Sequence, residues 1–564
     1  MPKKNEVEKV ISEDELSKEF KEYSVAEFFK RNRQMLGYTG KVRSLTTVVH
    51  EYVTNSLDAC EDAKILPEIL VEIKSLPNGH FVVINEDNGT GIPKKNIGQA
   101  LGMLLAGTKF ARRQQKRGQQ GIGAAYATLF SQITTGKTTH VKSSIGDGLV
   151  YECDVSVDIN KNNPVISNEK EYRAKFRGTR IEIELAEVEY NRSNYSVYEY
   201  LRRTAIANPH SQITLVEPNN EIIVFPRAAT EIPKQPKSIL PHPLGITTSD
   251  LMEMAGVTPA RKLSSFLESE FSRVSSDKVK ELSALVANID FERAPKTLTW
   301  EEAERIVSAI SKLKWIAPDS DALAPIGTSQ LEKSLKNLLA PESLKVVERP
   351  SKVFRGGISF MVEAAIAYGG NSGSGGGIAT SANSRSEPNS SSEGKGELMR
   401  FANRVPLLFD AGSCAISEAV KTIDWSRYEL KDWEKLPISI FVNFTSVYVP
   451  YTGAGKLAIA QEEEIIAEIR NALMECARSV SSYLHGMQRA ALQEERRAIF
   501  FRYLKEVAQV LSEITGKEKT VLEEKLRKIA EERTSLLEAE DAEEQEDELE
   551  KLEKDASSDI EDSQ

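Results

Sequence analysis

The stretch VVHEYVTNSLDACEDA, residues 48–63, decides how the N-terminal half of the chain is interpreted. Its apolar residues recur at every fourth position, as on the buried face of a helix: Val49, Val53 and Leu57. Three polar residues lie four and three apart and also share one side: Glu51, Asn55 and Asp58. A carboxylate and a carboxamide placed one turn apart can orient a water and bind Mg²⁺, which prefers oxygen ligands. A surface helix with an ordinary polar face would show the same pattern.

Length and composition indicate several folded units. The chain has 564 residues, of which 40% are apolar, and the usual domain size predicts about three or four units. The four cysteines and six histidines are scattered without metal-ligand spacing, so neither a zinc site nor disulfides are expected. No apolar run reaches the roughly 18–20 residues of a membrane span, and the first residues do not resemble a signal peptide. We therefore expect a cytoplasmic protein without a membrane partner.

The net charge of −11 is concentrated at the C-terminus. Residues 538–564 contain fourteen Asp and Glu against two Lys, a net of −12, which leaves about +1 for the remainder. We expect an acidic disordered tail there, because runs of like charge are usually solvated. The overall acidity therefore does not exclude nucleic acid as a partner of the rest of the chain.

Shifts in composition divide the chain into segments. Helical and strand patterns alternate in the first segment, with a hairpin predicted at Asn78-Gly79, and this favours an α+β fold with helices on one face of a largely antiparallel sheet. A Pro-rich stretch then leads into a helical segment, after which strand patterns return and a long helical end follows. The predicted boundaries are an N-terminal arm, 1–22; an α+β domain, 23–235; a small helical domain, 236–315; a second α/β domain, 316–500, with a flexible Gly/Ser loop at 369–397; a C-terminal helix, 501–537; and the acidic tail, 538–564.

Three further motifs follow the opening helix. In NEDNGTGI, 85–92, Asp87 precedes two glycines; glycines let a flat ligand approach the backbone, and the carboxylate can accept a hydrogen bond from an exocyclic amine, although a β-turn would look the same. In RGQQGIGAA, 117–125, a Gly-rich loop leads into a predicted helix, an arrangement that binds phosphate, but a solvated basic loop is the alternative. Gly178-Thr179 opens a strand and would fit beside a nucleotide, as would an ordinary strand start.

In their order and spacing these motifs resemble the ATP site of the GHKL superfamily, which includes gyrase-type subunits, heat-shock chaperones, histidine kinases and MutL-like repair proteins. The resemblance covers residues 48–185 and implies a GHKL (Bergerat) ATP-binding α/β sandwich. It implies that Glu51 is the general base, that Asn55 binds Mg²⁺, and that Asp87 contacts the adenine amine. The other implied ATP-binding residues are Gly89, Gly91, Thr108, Lys109, Gly118, Gln119, Gln120, Gly121, Ile122, Gly123, Ala124 and Thr179. Asp58 receives no role.

A lysine near the end of the second α/β segment narrows the resemblance. The stretch VPYTGAGKLAIA, 449–460, places Lys456 in a Gly-flanked loop between a strand and a helix, where an exposed loop lysine is the alternative. Together with SVAEFFKRNRQMLGY, ALAPIG, AIAYGG and RFANRVPLLFD, and with the order of the domains, it resembles the B subunits of topoisomerase VI, a type IIB DNA topoisomerase. The resemblance covers about residues 23–500. It implies a helix-two-turn-helix insert, a transducer domain of the ribosomal S5 domain 2-like type, and Lys456 as a catalytic lysine that reaches the γ-phosphate.

The same resemblance implies what the protein does. It would bind ATP and Mg²⁺, form an ATP-dependent homodimer of B subunits, and gate the passage of one DNA duplex through a break in another, relaxing supercoils and decatenating DNA. The A subunit of topoisomerase VI would make that double-strand break, within a heterotetramer of two A and two B subunits, because no stretch of this chain resembles a DNA-cleaving domain. One alternative is an ATP-driven clamp of another class, such as a MutL-like repair factor or a chaperone. Another is a scaffold that has lost ATP hydrolysis.

Overall fold

The computed structural model describes residues 23–106, 115, 117, 121–286, 288–316, 320–355, 357–373, 395–453 and 455–529. The chain divides into two compact units, one up to Val480 and one from Ser481 onward. The predicted N-terminal arm, the centre of the predicted Gly/Ser loop and the predicted acidic tail lie outside the described residues. Within the described ranges, no helix has the length and apolar character needed to cross a bilayer.

An eight-stranded sheet forms the first part of the first unit. Its strands are β1 (Glu68–Ser75), β2 (Phe81–Asp87), β3 (Thr139–Ser144), β4 (Leu149–Asp158), β5 (Asn163–Arg173), β6 (Gly178–Leu185), β7 (Gln212–Val216) and β8 (Ile222–Phe225). They lie in the order β5-β4-β3-β6-β2-β1-β7-β8, and all neighbours are antiparallel except β1 and β7. The predicted hairpin is the pair β1–β2, with Gly79 at φ +79° in its turn. The largely antiparallel sheet is therefore confirmed.

Helices of the same part of the chain accompany this sheet: α1 (Val25–Arg31), α2 (Lys41–Asp62), α3 (Lys94–Gly102), α4 (Gly123–Thr135) and α5 (Val197–Ala207). Helix α2 contains residues 48–62, all but the last residue of the stretch VVHEYVTNSLDACEDA. Its predicted apolar face is buried in the core: Val49, Val53 and Leu57. On the other face Glu51 is half-buried and Asn55 is exposed, so the division into an apolar and a polar face is confirmed.

Short helices with a core of their own follow: α6 (Thr248–Val257), α7 (Leu263–Glu270), α8 (Ser276–Leu285) and α9 (Trp300–Ile310). Capping boxes fix two of their starts: Thr247 precedes α6 and pairs with Asp250 in its first turn, and Thr299 precedes α9 and pairs with Glu302 in its first turn. In each box the side chains of the two residues satisfy one another's backbone N–H groups. The local sequence thus specifies where these helices begin.

A six-stranded sheet forms the last part of the first unit. Its strands are β9 (Ser343–Glu348), β10 (Lys352–Phe354), β11 (Ile358–Tyr368), β12 (Glu397–Ala402), β13 (Val405–Pro406) and β14 (Ile438–Ser446). They follow the order β10-β11-β14-β12-β13, with β9 also paired to β11, and only β12 and β14 are parallel. The helices α10 (Thr328–Leu339) and α11 (Ala415–Lys421) belong to this part of the chain. All nine residues of β14 are buried, as expected for a central strand covered on both faces.

The structure corrects the bounds of one predicted segment. The predicted flexible loop, 369–397, is folded at both ends, because the N–H of Gly369 donates to the Pro437 carbonyl and that of Gly396 donates to the Glu434 carbonyl. The final helix, α12 (Glu463–Thr515), continues past residue 500, in agreement with the long helical end predicted from the sequence. It ends before Gly516, which has φ +66°, and a further helix occupies 519–529. The other domain boundaries stay predictions.

Candidate functional site

A cavity of about 560 Å³ opens beside the polar face of α2. It is lined by residues of α2, α3 and α4, by the ends of β2 and β6, and by a loop of the second α/β segment. Ten of the residues predicted from the sequence line it together: Glu51, Asn55, Asp87, Gly91, Gly121, Ile122, Gly123, Ala124, Thr179 and Lys456. Residues up to about 400 positions apart in the sequence therefore meet in one cavity.

The start of α4 lies directly against Glu51. An added Cβ on Gly123 would be 1.8 Å from Glu51 Oε2 and 2.0 Å from its carboxyl carbon, so any larger residue at this first position of the helix would displace the Glu51 carboxylate. Within the described residues, Ile122 provides no side-chain cap for the first turn. The unpaired N–H groups and positive dipole end of a helix start attract anions. A carboxylate and an anion-attracting helix start thus form one wall of the cavity.

Asp87, which also lines the cavity, is held by three hydrogen bonds. The Ser56 hydroxyl donates to its Oδ2 at 2.7 Å, while the N–H groups of Gly89 and Thr179 donate to its Oδ1 at 2.9 and 3.2 Å. Burial raises the pKa of Asp87, although these hydrogen bonds oppose the increase. The carboxylate is thereby fixed in orientation at the cavity wall, where it can accept a further hydrogen bond from a ligand.

Two of the predicted glycines act in different ways at this wall. Gly91 has φ +68°, and an added Cβ would be 2.1 Å from the Ser144 carbonyl oxygen. The chain therefore needs glycine to pass this close to β3. Gly89 is not among the residues that line the cavity, and its contribution is the N–H that binds Asp87.

Lys456 brings a positive charge to the cavity from the second α/β segment. It lies in the loop before α12, at φ +52°, and lines the same cavity as Glu51 and Asn55. Its charge also reaches the neighbouring His50: burial is the largest cause that lowers the pKa of His50, Glu51 opposes it, and Lys456 lowers it further. The ammonium of Lys456 is therefore part of the electrostatic environment of α2.

Five predicted residues lie outside the described part of the chain: Thr108, Lys109, Gly118, Gln119 and Gln120. Other residues of the cavity were not predicted from the sequence. Asn96 and Gln99 of α3 also line it, and their spacing of three, which places both on one side of a helix, was the available signal. Ser56 was also missed, although it directly follows Asn55 and its hydroxyl orients Asp87.

The arrangement suits a ligand with an anionic end and a hydrogen-bonding flat end. Lys456 and the start of α4 offer positive potential beside a carboxylate and a carboxamide. Asp87 offers a fixed acceptor next to glycine backbone. These are the features by which proteins bind nucleoside polyphosphates.

Two family profiles match the chain. Residues 40–187 match the histidine kinase-, DNA gyrase B- and HSP90-like ATPases. Residues 318–496 match the transducer of the topoisomerase VI B subunit. The first match contains α2 and the glycine motifs, and the second contains Lys456. The cavity therefore lies where the ATPase and transducer families meet.

Relatives that match over most of their length decide the family. The type 2 DNA topoisomerase 6 B subunit of Thermococcus gammatolerans is 45% identical over 558 residues, which cover 91% of this chain and 95% of that protein. The protein of the same name from Methanothermobacter thermautotrophicus is 46% identical over 488 residues, covering 86% and 90%. The chain belongs to the B-subunit family of type 2 DNA topoisomerase 6. A further family member, from Pyrococcus furiosus, is 44% identical over 557 residues, covering 90% and 94%.

Membership of the topoisomerase 6 B-subunit family confirms the resemblance inferred from the sequence. The GHKL ATPase domain and the transducer are confirmed by the two profiles, and the protein is an ATP-hydrolysing topoisomerase subunit. A MutL-like repair factor or a chaperone is not favoured. A solved N-terminal domain of a DNA repair protein aligns with 79% of this chain and 96% of its own at 12% identity, with a TM-score of 0.35, too low to bear on the family.

Proposed function

We propose that this topoisomerase 6 B subunit hydrolyses ATP in the cavity beside α2, with Glu51 as the general base that activates the attacking water. Asp87, supported by Thr179, would accept a hydrogen bond from the adenine amine. The phosphates would lie at the start of α4, residues 121–124, within reach of Lys456. The close approach of Gly123 to Glu51 supports this orientation, because it brings the helix start and the base to the same end of the ligand.

Mg²⁺ fits the same wall of the cavity. Asn55 supplies an exposed carboxamide and Glu51 a carboxylate one turn away. The described residues contain no group of three or more His, Cys, Asp or Glu side chains suited to a metal. Two side-chain oxygens are enough for Mg²⁺, which usually takes one or two protein oxygens and completes its shell with water and phosphate. Bound there, the ion would offset the charge of the phosphates.

The observation that carries the proposal is the position of Lys456. A lysine of the transducer segment lines the same cavity as Glu51 and Asn55 of the ATPase segment. The compact ammonium of a lysine on one segment can bind a phosphate that the other segment holds. The relative position of the two segments then depends on the nucleotide. Nucleotide binding and release would thus be coupled to movement of the transducer.

This coupling gives the protein its place in a topoisomerase. The relatives are named as B subunits of a type 2 DNA topoisomerase, so we infer that this chain works together with an A subunit on double-stranded DNA. ATP would bring two B subunits together as a homodimer and close a gate on one duplex. The A subunit would cleave the other duplex, within a heterotetramer of two A and two B subunits, and hydrolysis would reopen the gate.

The test combines ATP hydrolysis with oligomeric state. The purified full chain is mixed with Mg²⁺ and ATP or a non-hydrolysable analogue, and its mass is followed by light scattering. Glu51→Gln should lower the hydrolysis rate by about 10²–10⁴-fold, the usual contribution of a general base, while analogue-induced dimerisation persists. Lys456→Ala should weaken hydrolysis and dimerisation together.

Lys421→Ala is the matched control, because Lys421 is an exposed lysine of α11 outside the cavity. This variant should hydrolyse ATP and dimerise like the wild type. A wild-type chain that stays monomeric with ATP and with the analogue would refute the gate. Unchanged hydrolysis in Glu51→Gln would refute the assignment of the base.

A further inference from the structure

A buried cluster of charged groups surrounds Glu61, near the end of α2. Arg117 binds both carboxylate oxygens of Glu61, at 2.6 and 3.1 Å. Arg404 binds the same two oxygens, with its Nη2 at 3.0 Å from Oε2, and the His210 imidazole lies 2.8 Å from Oε1. Asp58, one turn earlier on α2, binds Arg117 at 2.8 Å. Two arginines from distant segments therefore share one carboxylate.

The two arginines come from functionally different places. Arg117 directly precedes the Gly-rich motif that begins at Gly118. Arg404 lies in the turn between β12 and β13, in the transducer segment. Neither arginine nor Glu61 lines the ATP cavity, so none of the three is positioned to touch nucleotide from the described surface. Glu61 is the point at which the start of the Gly-rich motif and the transducer meet.

Because these contacts are buried, breaking one of them costs more free energy than breaking an exposed ion pair. Glu61, Arg117 and Arg404 are each no more than 6% exposed. Burial alone would raise the pKa of Glu61, but Arg117 and Arg404 outweigh it and hold that pKa well below the ordinary range. Two carboxylates then face two guanidinium groups, a balanced set. Removing one member of such a set leaves an uncompensated charge in a buried environment.

The turn that carries Arg404 is held rigidly. Asn403 and Arg404 have φ +50° and +67°, a region that residues other than glycine rarely adopt. The Asn403 side chain donates to the Ser446 carbonyl and accepts from the Ser446 N–H, while the N–H of Arg404 donates to Asn443 Oδ1. Positive φ at both positions is what the two-residue turn of the antiparallel pair β12–β13 requires. The hydrogen bonds fix Arg404 to the central strand β14.

The segment before the Gly-rich motif has a second attachment. The side chain of Gln115 donates to the Ala324 carbonyl at 3.0 Å, and the Gln115 N–H donates to the Ala322 carbonyl at 3.2 Å. Both alanines precede α10 at the start of the transducer segment. Gln115 is thus bound to the transducer segment, while Arg117 is bound to α2.

We propose that Glu61 is a positioning residue for the nucleotide reaction, which joins the start of the Gly-rich motif, through Arg117, to the transducer, through Arg404. A displacement of β12–β13 then acts on Arg117 through one carboxylate, in addition to its effect through Lys456. This inference rests on the proposed function of the cavity. It predicts that Arg404, although outside the cavity, influences nucleotide affinity.

The experiment measures the affinity of the full chain for a fluorescent non-hydrolysable ATP analogue with Mg²⁺, together with the melting temperature. Glu61→Gln keeps the shape of the side chain and removes its charge. It should weaken analogue binding by about tenfold, the equivalent of one charge-assisted hydrogen bond. The matched control is Glu468→Gln: Glu468 is an equally buried carboxylate bound by Arg349 and Lys352, away from the cavity. It should lower the melting temperature and leave affinity within about twofold.

A double-mutant cycle separates positioning from general packing. Arg117→Lys and Arg404→Lys should each weaken analogue binding. With Glu61 present, the losses of binding free energy in the two variants should not add up in the double variant. In the Glu61→Gln background they should be additive. If Glu61→Gln does not fold, Arg404→Lys is compared with Arg349→Lys, and a loss of affinity in the first variant alone supports the proposal.

Equal affinities in Glu61→Gln and Glu468→Gln, or in the two lysine variants, would overturn this inference. Hydrolysis by the wild type is recorded in parallel. A wild type that binds the analogue without hydrolysing ATP refutes the proposed function, while the affinities still decide the role of Glu61.

Discussion

For Gly123, at the start of α4, we predict that substitution by alanine lowers the rate of ATP hydrolysis strongly but changes folding stability little. In Gly123→Ala the new Cβ would lie 1.8 Å from Glu51 Oε2, 2.0 Å from Cδ and 2.7 Å from Cγ. A carbon needs about 3.5 Å from such atoms, so the carboxylate must move by roughly 1.5–2 Å. The obstacle is a side chain rather than backbone, and it can rotate away. The Glu51 carboxylate, the proposed base, would then leave its position while the fold remains.

The magnitudes follow from that displacement. A shift of about 1 Å in a catalytic group can cost 10²-fold in rate, so Gly123→Ala should reduce hydrolysis by at least about 10²-fold, or about 2.7 kcal/mol of transition-state stabilisation. Overpacking usually costs about 1–3 kcal/mol of folding free energy, but replacing glycine by alanine in a helix returns about 1 kcal/mol. The melting temperature should therefore change by only a few degrees.

The assay is ATP hydrolysis under saturating nucleotide, with thermal unfolding of the same preparations. Gly256→Ala is the matched control, because Gly256 is also helical and an added Cβ would meet nothing within 4 Å. That variant should be as active as the wild type. If Gly123→Ala retained hydrolysis within about threefold of wild type, the position of the Glu51 carboxylate would not matter and its role as the base would be refuted.

Two further predictions concern groups that support the site. Ser56→Ala removes the hydroxyl that donates to Asp87 and should weaken ATP binding by about three- to tenfold, measured by calorimetry; unchanged affinity would contradict its orienting role. His210 has its pKa lowered, mainly by burial and against the opposing hydrogen bond of Glu61. In the unfolded chain His210 therefore takes up a proton at a higher pH than in the folded chain. Its contribution to stability is present above the ordinary imidazole pKa of about 6.5 and is lost as the pH falls below that value. His210→Gln should flatten the pH dependence of the melting temperature between about pH 7 and 5, and an unchanged slope would contradict this.

Features with a local cause were predicted well from the sequence. The two faces of α2 follow from helical periodicity alone, which is why Glu51 and Asn55 were placed on one side before any tertiary contact was known. The β1–β2 hairpin likewise follows from its turn residues, including Gly79 at positive φ. The order of the glycine motifs then sufficed for the resemblance to an ATP site.

Features that depend on distant packing were not predicted. Asp58 had no role until Arg117 was found beside it, and Glu61 drew no attention because it continues an ordinary helix. The partners of Glu61 come from positions 117, 210 and 404, and no periodicity relates such positions. The run of α12 through residue 500 agrees with the long helical end predicted from the sequence, but a continuous helical pattern contains no signal for a domain boundary.

The backbone of Lys456 has a consequence for protein engineering. At φ +52° a lysine occupies a conformation that glycine adopts freely, at a cost of about 1 kcal/mol or more. A procedure that optimises thermostability alone would choose glycine at this position and gain in melting temperature. The same substitution would delete the only transducer ammonium described in the ATP cavity. Stabilised variants of this protein should therefore be selected on DNA-dependent turnover rather than on thermal resistance, since here the two are expected to diverge.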